Sequence, residues 1–492
     1  MYVVDQILMY FVIIFGLLSS YTIIYQIMGL VFPSKKFKET KEQYNYAVIL
    51  CARNEEKVIG QLIKSLKKQT YPQDKLTIFV VAHNCTDQTA QVAIEAGAIV
   101  YEFNNDKRRK GYAIDYCLQQ IKQRYEKGVT HFDGYFLFDA DNVISPNYVA
   151  EMNKAFDNKK YDMYNGYTEI KNFGDTFVSS YSSILRYSDN TNGSRARSIL
   201  GISRRTMGTG CLIRSHLLAE GWKWYNLVED TEFSDGMIAK GYRLTFVESA
   251  GYFDEQPLTL KILIRQRMRW TKGRFQCFFK LFPRLVLGII APYDFTRKRR
   301  MAKVQAEQDL INKQRAIDAT ETKPTLKPAK PYNFFTKALS EVQKRASCYD
   351  SLINLFPSFI FNITYGFLYP LGTLIHKAIA PDGTDIKPML IIVLSYYFVR
   401  YINWLISYII TIVREHRHMR INPILLILYL PFWPLLSIVL EYTNMMSIFI
   451  PIKWKTIPHV VTNEIEDMYE EQTLSQILYE KKGQRAEQVN HD

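Results

Sequence analysis

Three apolar stretches, residues 7–32, 352–376 and 387–413, are each long enough to cross a bilayer, which takes about 20 apolar residues in a helix. A chain with this pattern does not close into one water-soluble core. It sets a soluble segment between membrane anchors. The first stretch begins after Met1-Tyr2-Val3-Val4-Asp5, without the basic start of a secretory signal. Lys35, Lys36 and Lys38 follow it, so residues 1–34 are expected to be a transmembrane signal anchor with residue 35 onward cytosolic. The acidic turn 381–385 reads as outside and the basic run 414–420 as inside, in agreement with that orientation. Residues 421–450 contain Pro431, Pro434 and Glu441. They are compatible with one kinked span, a re-entrant hairpin, or an interfacial helix followed by a short span.

Between the anchors the texture changes to alternation of strand and helix. Tyr46–Cys51, Leu76–Ala82 and Ala98–Phe103 are short apolar runs typical of buried strands. Helix-period segments separate them, including Val58, Leu62 and Leu66, then Gln88–Ala96 and Tyr112–Tyr125. A fourth run, Tyr135-Phe136-Leu137-Phe138, ends abruptly in Asp139-Ala140-Asp141. Such alternation predicts a parallel sheet. A further strand is expected at Tyr242–Val247 and an amphipathic helix at Leu260–Phe275. Residues 276–293 are apolar but carry Lys280, Pro283 and Arg284, which suits an interfacial helix. Residues 294–350 form a charged linker or insertion, 351–451 the C-terminal transmembrane and interface helices, and 452–492 a polar tail.

The formal charge of +14 raises the question of nucleic acid. The basic residues crowd beside the apolar segments, and no zinc-finger, RNP or helix-turn-helix pattern occurs, so membrane surface and phosphate are the expected partners. The six cysteines are scattered, without C-x-x-C pairs, as in a reduced cytosolic domain.

Ligands of open α/β sheets bind just outside the carboxyl ends of the strands. Asp139 and Asp141, two apart in an extended segment, point to one side and can face a single hard cation. Three other groups could act with them. Glu229-Asp230 opens a helix, where the dipole alone favours acids; a general base is the functional alternative. The basic turn 107–111 would neutralise phosphates if it lies at strand ends. Gln266 and Trp270 share a helix face with Arg269 beside them, as an amphipathic helix on the membrane or as a platform for a sugar ring.

Taken together, Asn54-Glu55, His83-Asn84-Cys85-Thr86-Asp87, Asp139-Ala140-Asp141, Glu229-Asp230 and Gln266-Arg267-Met268-Arg269-Trp270 resemble family 2 glycosyltransferases. The narrower resemblance is to the membrane-embedded processive synthases of cellulose, hyaluronan, chitin and poly-N-acetylglucosamine. It implies an α/β GT-A, nucleotide-sugar-binding cytosolic domain over residues 45–275, plus an α-helical transmembrane region in the cell membrane. It implies a UDP-sugar donor, a glycan acceptor and Mg²⁺ or Mn²⁺. Asp230 would be the catalytic base and Asp141 the metal ligand. Asn54, Glu55, His83, Asp87, Lys110 and Asp139 would bind the nucleotide-sugar. Gly208, Thr209, Gly210, Glu229, Gln266, Arg269 and Trp270 would form the acceptor and diphosphate site. Trp454 and His459 loosely match a post-membrane segment that reaches the active site in some relatives. The pattern departs at Ala82-His83-Asn84, where many relatives have an aspartate for the base; His83 or Asp87 would serve instead. The expected reaction is inverting transfer to a growing polysaccharide that passes through the membrane. Single-sugar transfer to a lipid or membrane-linked acceptor is the alternative. The sugar, the linkage and any accessory subunits are not encoded legibly.

Overall fold

The computed structural model describes residues 2–291, 334–380, 385–419 and 421–451. Eight strands make one sheet: β1 Tyr46–Ala52, β2 Leu76–His83, β3 Ile99–Phe103, β4 Gly134–Asp139, β5 Val143–Ile144, β6 Met163–Ile170, β7 Cys211–Arg214 and β8 Leu244–Asp254. Their spatial order is β3-β2-β1-β4-β7-β6-β8-β5. The first four neighbours are parallel, as expected, with β1 between β2 and β4. The other half departs from an all-parallel sheet. β7 runs antiparallel to both β4 and β6, and β5 antiparallel to β8, while β6 and β8 are parallel. An apolar run buried on both faces carries no signal of strand direction, which is why the composition of β4 did not reveal its antiparallel neighbour.

The helices of this part of the chain are α1 Tyr2–Ser19, α2 Thr22–Val31, α3 Ile59–Lys67, α4 Thr89–Glu95, α5 Lys110–Arg124, α6 Tyr148–Asp157, α7 Phe177–Ser188, α8 Ala196–Leu200, α9 Glu229–Ala239 and α10 Leu260–Ile290. Alternate residues of β1 enter different cores. Tyr46, Val48 and Leu50 pack with Leu62, Leu66 and Met152; Ala47 and Ile49 pack with Ile114, Leu118 and Phe233. Burial on both faces fixes the strand's depth and holds its carboxyl end rigidly.

Two boundaries differ from expectation. The apolar N-terminal stretch is interrupted by a tight turn at Ser20 and Tyr21, where the Ser20 hydroxyl donates to the Leu17 carbonyl (2.8 Å); such local bonding competes with helix continuation. The expected break at residue 275 is absent, since α10 is one helix of 31 residues through Pro283. Its buried positions Gly273, Cys277, Leu281 and Leu285 form a stripe against Val228, Ile238 and Cys348. A Cβ at Gly273 would lie 2.7 Å from Val228 Cγ2, so glycine permits this close approach. Tertiary packing carries the helix past the local charge change. The outer face of its second half, with Phe279, Phe282 and Leu287, is exposed and apolar.

Beyond α10 come α11 Phe334–Leu355, α12 Phe359–Ile363, α13 Tyr369–Ile379, α14 Lys387–Glu415, α15 Pro423–Tyr429 and α16 Phe432–Met446. Ala338–Ile379 and Lys387–His418 are long and apolar enough to cross a membrane, and α15 with α16, bent by 48°, passes the same test only as a pair. The bend falls at Leu430-Pro431, where proline removes a helix donor. The expected linker is helical from Phe334; residues 292–333, the acidic turn 381–384 and the tail with Trp454 and His459 lie outside the described residues. The run 414–420 is not a simple basic loop. Glu415 is buried, accepts from Tyr167 Oη (2.7 Å) and pairs with Arg195 (3.1 Å).

Charged contacts tie these helices to the domain. Arg197 Nε donates to Asp350 (2.6 Å), which also accepts from Tyr21 Oη (2.7 Å). Asp235 on α9 accepts from Ser351 Oγ (2.8 Å), while its Oδ2 is buried without a partner. Burial pushes its carboxyl up from 3.8 to about 7, with Arg205 opposing. Between those values the folded protein holds a proton that the unfolded chain has lost, so stability falls as pH rises through the window. Asp235→Asn is expected to flatten the fall in unfolding free energy between pH 5 and 7 by on the order of 1–3 kcal/mol. Denaturant titration across that range checks it; an unchanged slope contradicts the assignment.

Candidate active site

A cleft of about 720 Å³ opens at the carboxyl ends of β1, β2 and β4 and runs down to α10, α14 and α16. Its position follows from the sheet: in the β1/β4 register Cys51 stands opposite Asp139, the last residue of β4, and His83 is the last residue of β2. Glu55, His83, Lys110, Asp139, Asp141, Gly208, Glu229, Asp230, Gln266, Arg269 and Trp270 all line it. Elements far apart in sequence thus bring eleven of the fifteen expected residues to one cavity.

Lys110, the first residue of α5, is the link between them. Its Nζ donates to Asp139 Oδ1 (2.5 Å) and to the Gly208 carbonyl (2.8 Å). Burial works against its charge, but Asp139 and Glu229 overcome that and raise its pKa. Gly208 has φ +80°, and a Cβ there would lie 3.1 Å from Asp230 Oδ2. Only glycine adopts this backbone cheaply while letting the turn lie against Asp230. Asp230 follows Glu229 at the start of α9. Burial and then Asp230 push the Glu229 carboxyl up, and Lys110 pulls it back. The Asp230 carboxylate has no hydrogen bond or ion pair among the described residues, so it is open to a proton from a ligand.

Asn54, Asp87, Thr209 and Gly210 do not line the cleft. The Asn54 side chain bonds Thr86 from a left-handed backbone (φ 57°). Asp87 accepts from the Thr89 hydroxyl (2.5 Å) and amide (3.1 Å), and from the Glu56 amide (3.3 Å). These bonds engage it in the loop that enters α4, a common use of aspartate. Thr209 Oγ1 accepts from the Asp139 amide (2.9 Å) and bonds Asn142, fixing the strand end from behind. Gly210 (φ 57°) packs on Tyr252, whose Cε1 would meet a Cβ at 2.1 Å. His83 is at the cleft, stacked on Phe103, with its Nε2 3.3 Å from Asn105 Oδ1; burial lowers its pKa and favours the neutral ring.

Other lining residues escaped sequence reasoning. Asp254 ends β8 as Asp139 ends β4, 3.6 Å from Arg186 and bonded to Asn142 Nδ2 (3.2 Å). The strand was expected only over Tyr242–Val247. Pairing with β6 overrides that, with a bulge at Gly166/Tyr167. The strand-end aspartate was the available signal. Lys171, buried outside the cleft lining, donates from Nζ to the Asp141 carbonyl (2.5 Å).

Among the described residues, no group of three or more His, Cys, Asp or Glu side chains could hold an ion alone. Asp139 and Asp141 fit a hard cation in company with a phosphate-bearing ligand, since Mg²⁺ is usually held by one or two carboxylates plus substrate phosphates.

The family described as "Glycosyltransferase like family 2" matches residues 43–273. The "Probable glycosyltransferase YdaM" of Bacillus subtilis is 26% identical over 283 residues, which are 53% of this chain and 64% of that protein. The "Beta-monoglucosyldiacylglycerol synthase" of Nostoc sp. is 23% identical over 254 residues, 51% of this chain and 53% of that one. The chain thus spans between half and two thirds of the length of these curated relatives. Among solved structures, a mannosyltransferase of Pyrobaculum calidifontis in complex with GDP-Man and Mn²⁺ aligns over 82% of this chain and 96% of its own, with TM-score 0.42 and 14% identity.

Proposed function

We propose that the chain, whose residues 43–273 match the family 2 glycosyltransferases, transfers a sugar, with inversion, from a UDP-sugar to a growing polysaccharide that leaves through the membrane. One observation carries this reading. A single cleft holds the strand-end carboxylates Asp139 and Asp141, the unpaired Asp230, and Trp404 and Leu440 of the apolar helices α14 and α16. This arrangement supports a reading in which the donor and a membrane-side acceptor meet in one cleft.

Asp139 and Asp141 orient the diphosphate at the strand ends, and Lys110 tunes Asp139. A divalent cation held there would neutralise negative charge on the leaving diphosphate, a contribution of several kcal/mol. Asp230 takes the proton of the acceptor hydroxyl as that oxygen attacks the anomeric carbon from the face opposite the diphosphate. Trp270 stacks on the acceptor sugar, and Gln266 and Arg269 position it. His83 is the candidate contact to the base.

The second reading, single-sugar transfer to a lipid, draws support from the acceptor in the name of the Nostoc relative. Incubating the purified protein in lipid with a panel of UDP-sugars and sizing the product separates the two. A ladder or high polymer is expected; a product that stays mono-glycosylated under donor excess overturns the polymer reading.

A further inference from the structure

A polar bridge joins the strand end at Asp139 to the Trp270 ring, and its centre is Asp254, the last residue of β8. On one side Asp254 Oδ1 accepts from Asn142 Nδ2 (3.2 Å). Asn142 is fully buried, and its Oδ1 accepts from the Asp139 amide (3.3 Å) and from the Thr209 hydroxyl. The loop that carries Asp139 and Asp141 is thus tied to Asp254 through one side-chain amide. On the other side stands α7. Ser182 and Arg186, four residues apart on one face of that helix, reach the end of β8 together. Ser182 Oγ donates to Gln256 Oε1 (2.7 Å), and Gln256 Nε2 donates to Asp254 Oδ2 (2.9 Å). Arg186 lies 3.6 Å from the same carboxylate oxygen, and its guanidinium is 5.4 Å from the centre of the Trp270 ring.

Both side chains of this ion pair are largely buried, and Arg186 Nε has no hydrogen-bond partner. Burial opposes the Arg186 charge, and Asp254 overcomes that and raises its pKa. A buried cation so placed is held by its carboxylate and by the ring it lies over, and loss of the carboxylate leaves it uncompensated. One carboxylate shared by the loop and the arginine makes their positions interdependent. A ligand that shifts Asp139–Asn142 shifts the partner of Arg186, and with it the guanidinium against Trp270.

We infer that Asp254 and Arg186 are positioning residues, which seat Trp270 relative to the Asp139–Asp141 strand end and couple donor binding to the acceptor platform. The inference rests on the reading of the cleft as the transfer site. Two measurements on the full chain in lipid test it. In the first, UDP with Mg²⁺ is titrated in while tryptophan emission is followed. The expected result is a shift in the wild type that is absent in Trp270→Phe and in Arg186→Gln, while calorimetry finds the UDP affinity of Arg186→Gln unchanged. In the second, turnover is measured with the best donor of a UDP-sugar panel. Arg186→Gln and Asp254→Asn each leave one buried charge without its partner and lower kcat by about 10-fold, with little change in donor KM. The double variant is no slower than either, because members of one network are not additive. Arg186→Lys, which keeps the charge but not the planar fork, regains part of kcat. Losses that multiply to about 100-fold in the double variant, weakened UDP binding in Arg186→Gln, or no recovery in Arg186→Lys overturn the proposal. A wild type that consumes no UDP-sugar refutes the transfer-site reading and the platform with it; an active wild type whose Trp270 emission ignores UDP refutes the coupling alone.

Discussion

Asp230→Asn lowers the turnover of sugar transfer by ~10²–10⁴-fold, the range of a positioned general base. The KM for UDP-sugar changes little, because the amide keeps the shape of the carboxylate and only the proton acceptor is lost. Three observations make this expectation specific to Asp230 among the cleft's acids. Asp139 is engaged by Lys110, and Glu229 is held towards its protonated form by burial and by Asp230 itself. The Asp230 carboxylate carries no ion pair among the described residues, and the Gly208 turn lies directly against it. Steady-state kinetics on the two proteins, with circular dichroism to establish that both are folded, checks it. Full activity in the variant refutes the base assignment.

Chelation is expected to have the next largest effect. EDTA lowers transfer by about 10²-fold or more, equivalent to roughly 3 kcal/mol of lost charge stabilisation, and added Mn²⁺ or Mg²⁺ restores it. Asp141→Asn raises the concentration of Mn²⁺ needed for half-maximal activity. Asp141 is only 6% exposed and its carbonyl is fixed by Lys171, so the substitution changes the ligand without releasing the strand end. Undiminished activity in EDTA contradicts the metal assignment of Asp139 and Asp141.

The parts of the site legible in the sequence are those whose chemistry interrupts a simple period. An apolar run stopped by Asp139-Ala140-Asp141 announces a strand end, and Gln266 and Trp270 share a helix face by spacing alone. From the residues alone Lys110 was legible as one of a basic turn; its bonds to Asp139 and Gly208 come from the packing of α5 on β1 and β2. Asp87, which only the family resemblance suggests as a ligand, accepts from the Thr89 amide and hydroxyl in the loop before α4. Strand direction, the length of β8 and the unbroken course of α10 are set by tertiary pairing, which overrides the local composition of Glu248–Gly251 and of Lys280–Arg284.

The central claim is that one cleft transfers a sugar by direct displacement, the acceptor attacking opposite the diphosphate. The most direct measurement is the anomeric configuration of the sugar in the product made by the purified protein from an α-linked UDP-sugar, read by NMR. The account predicts a β linkage. An α-linked product would contradict it.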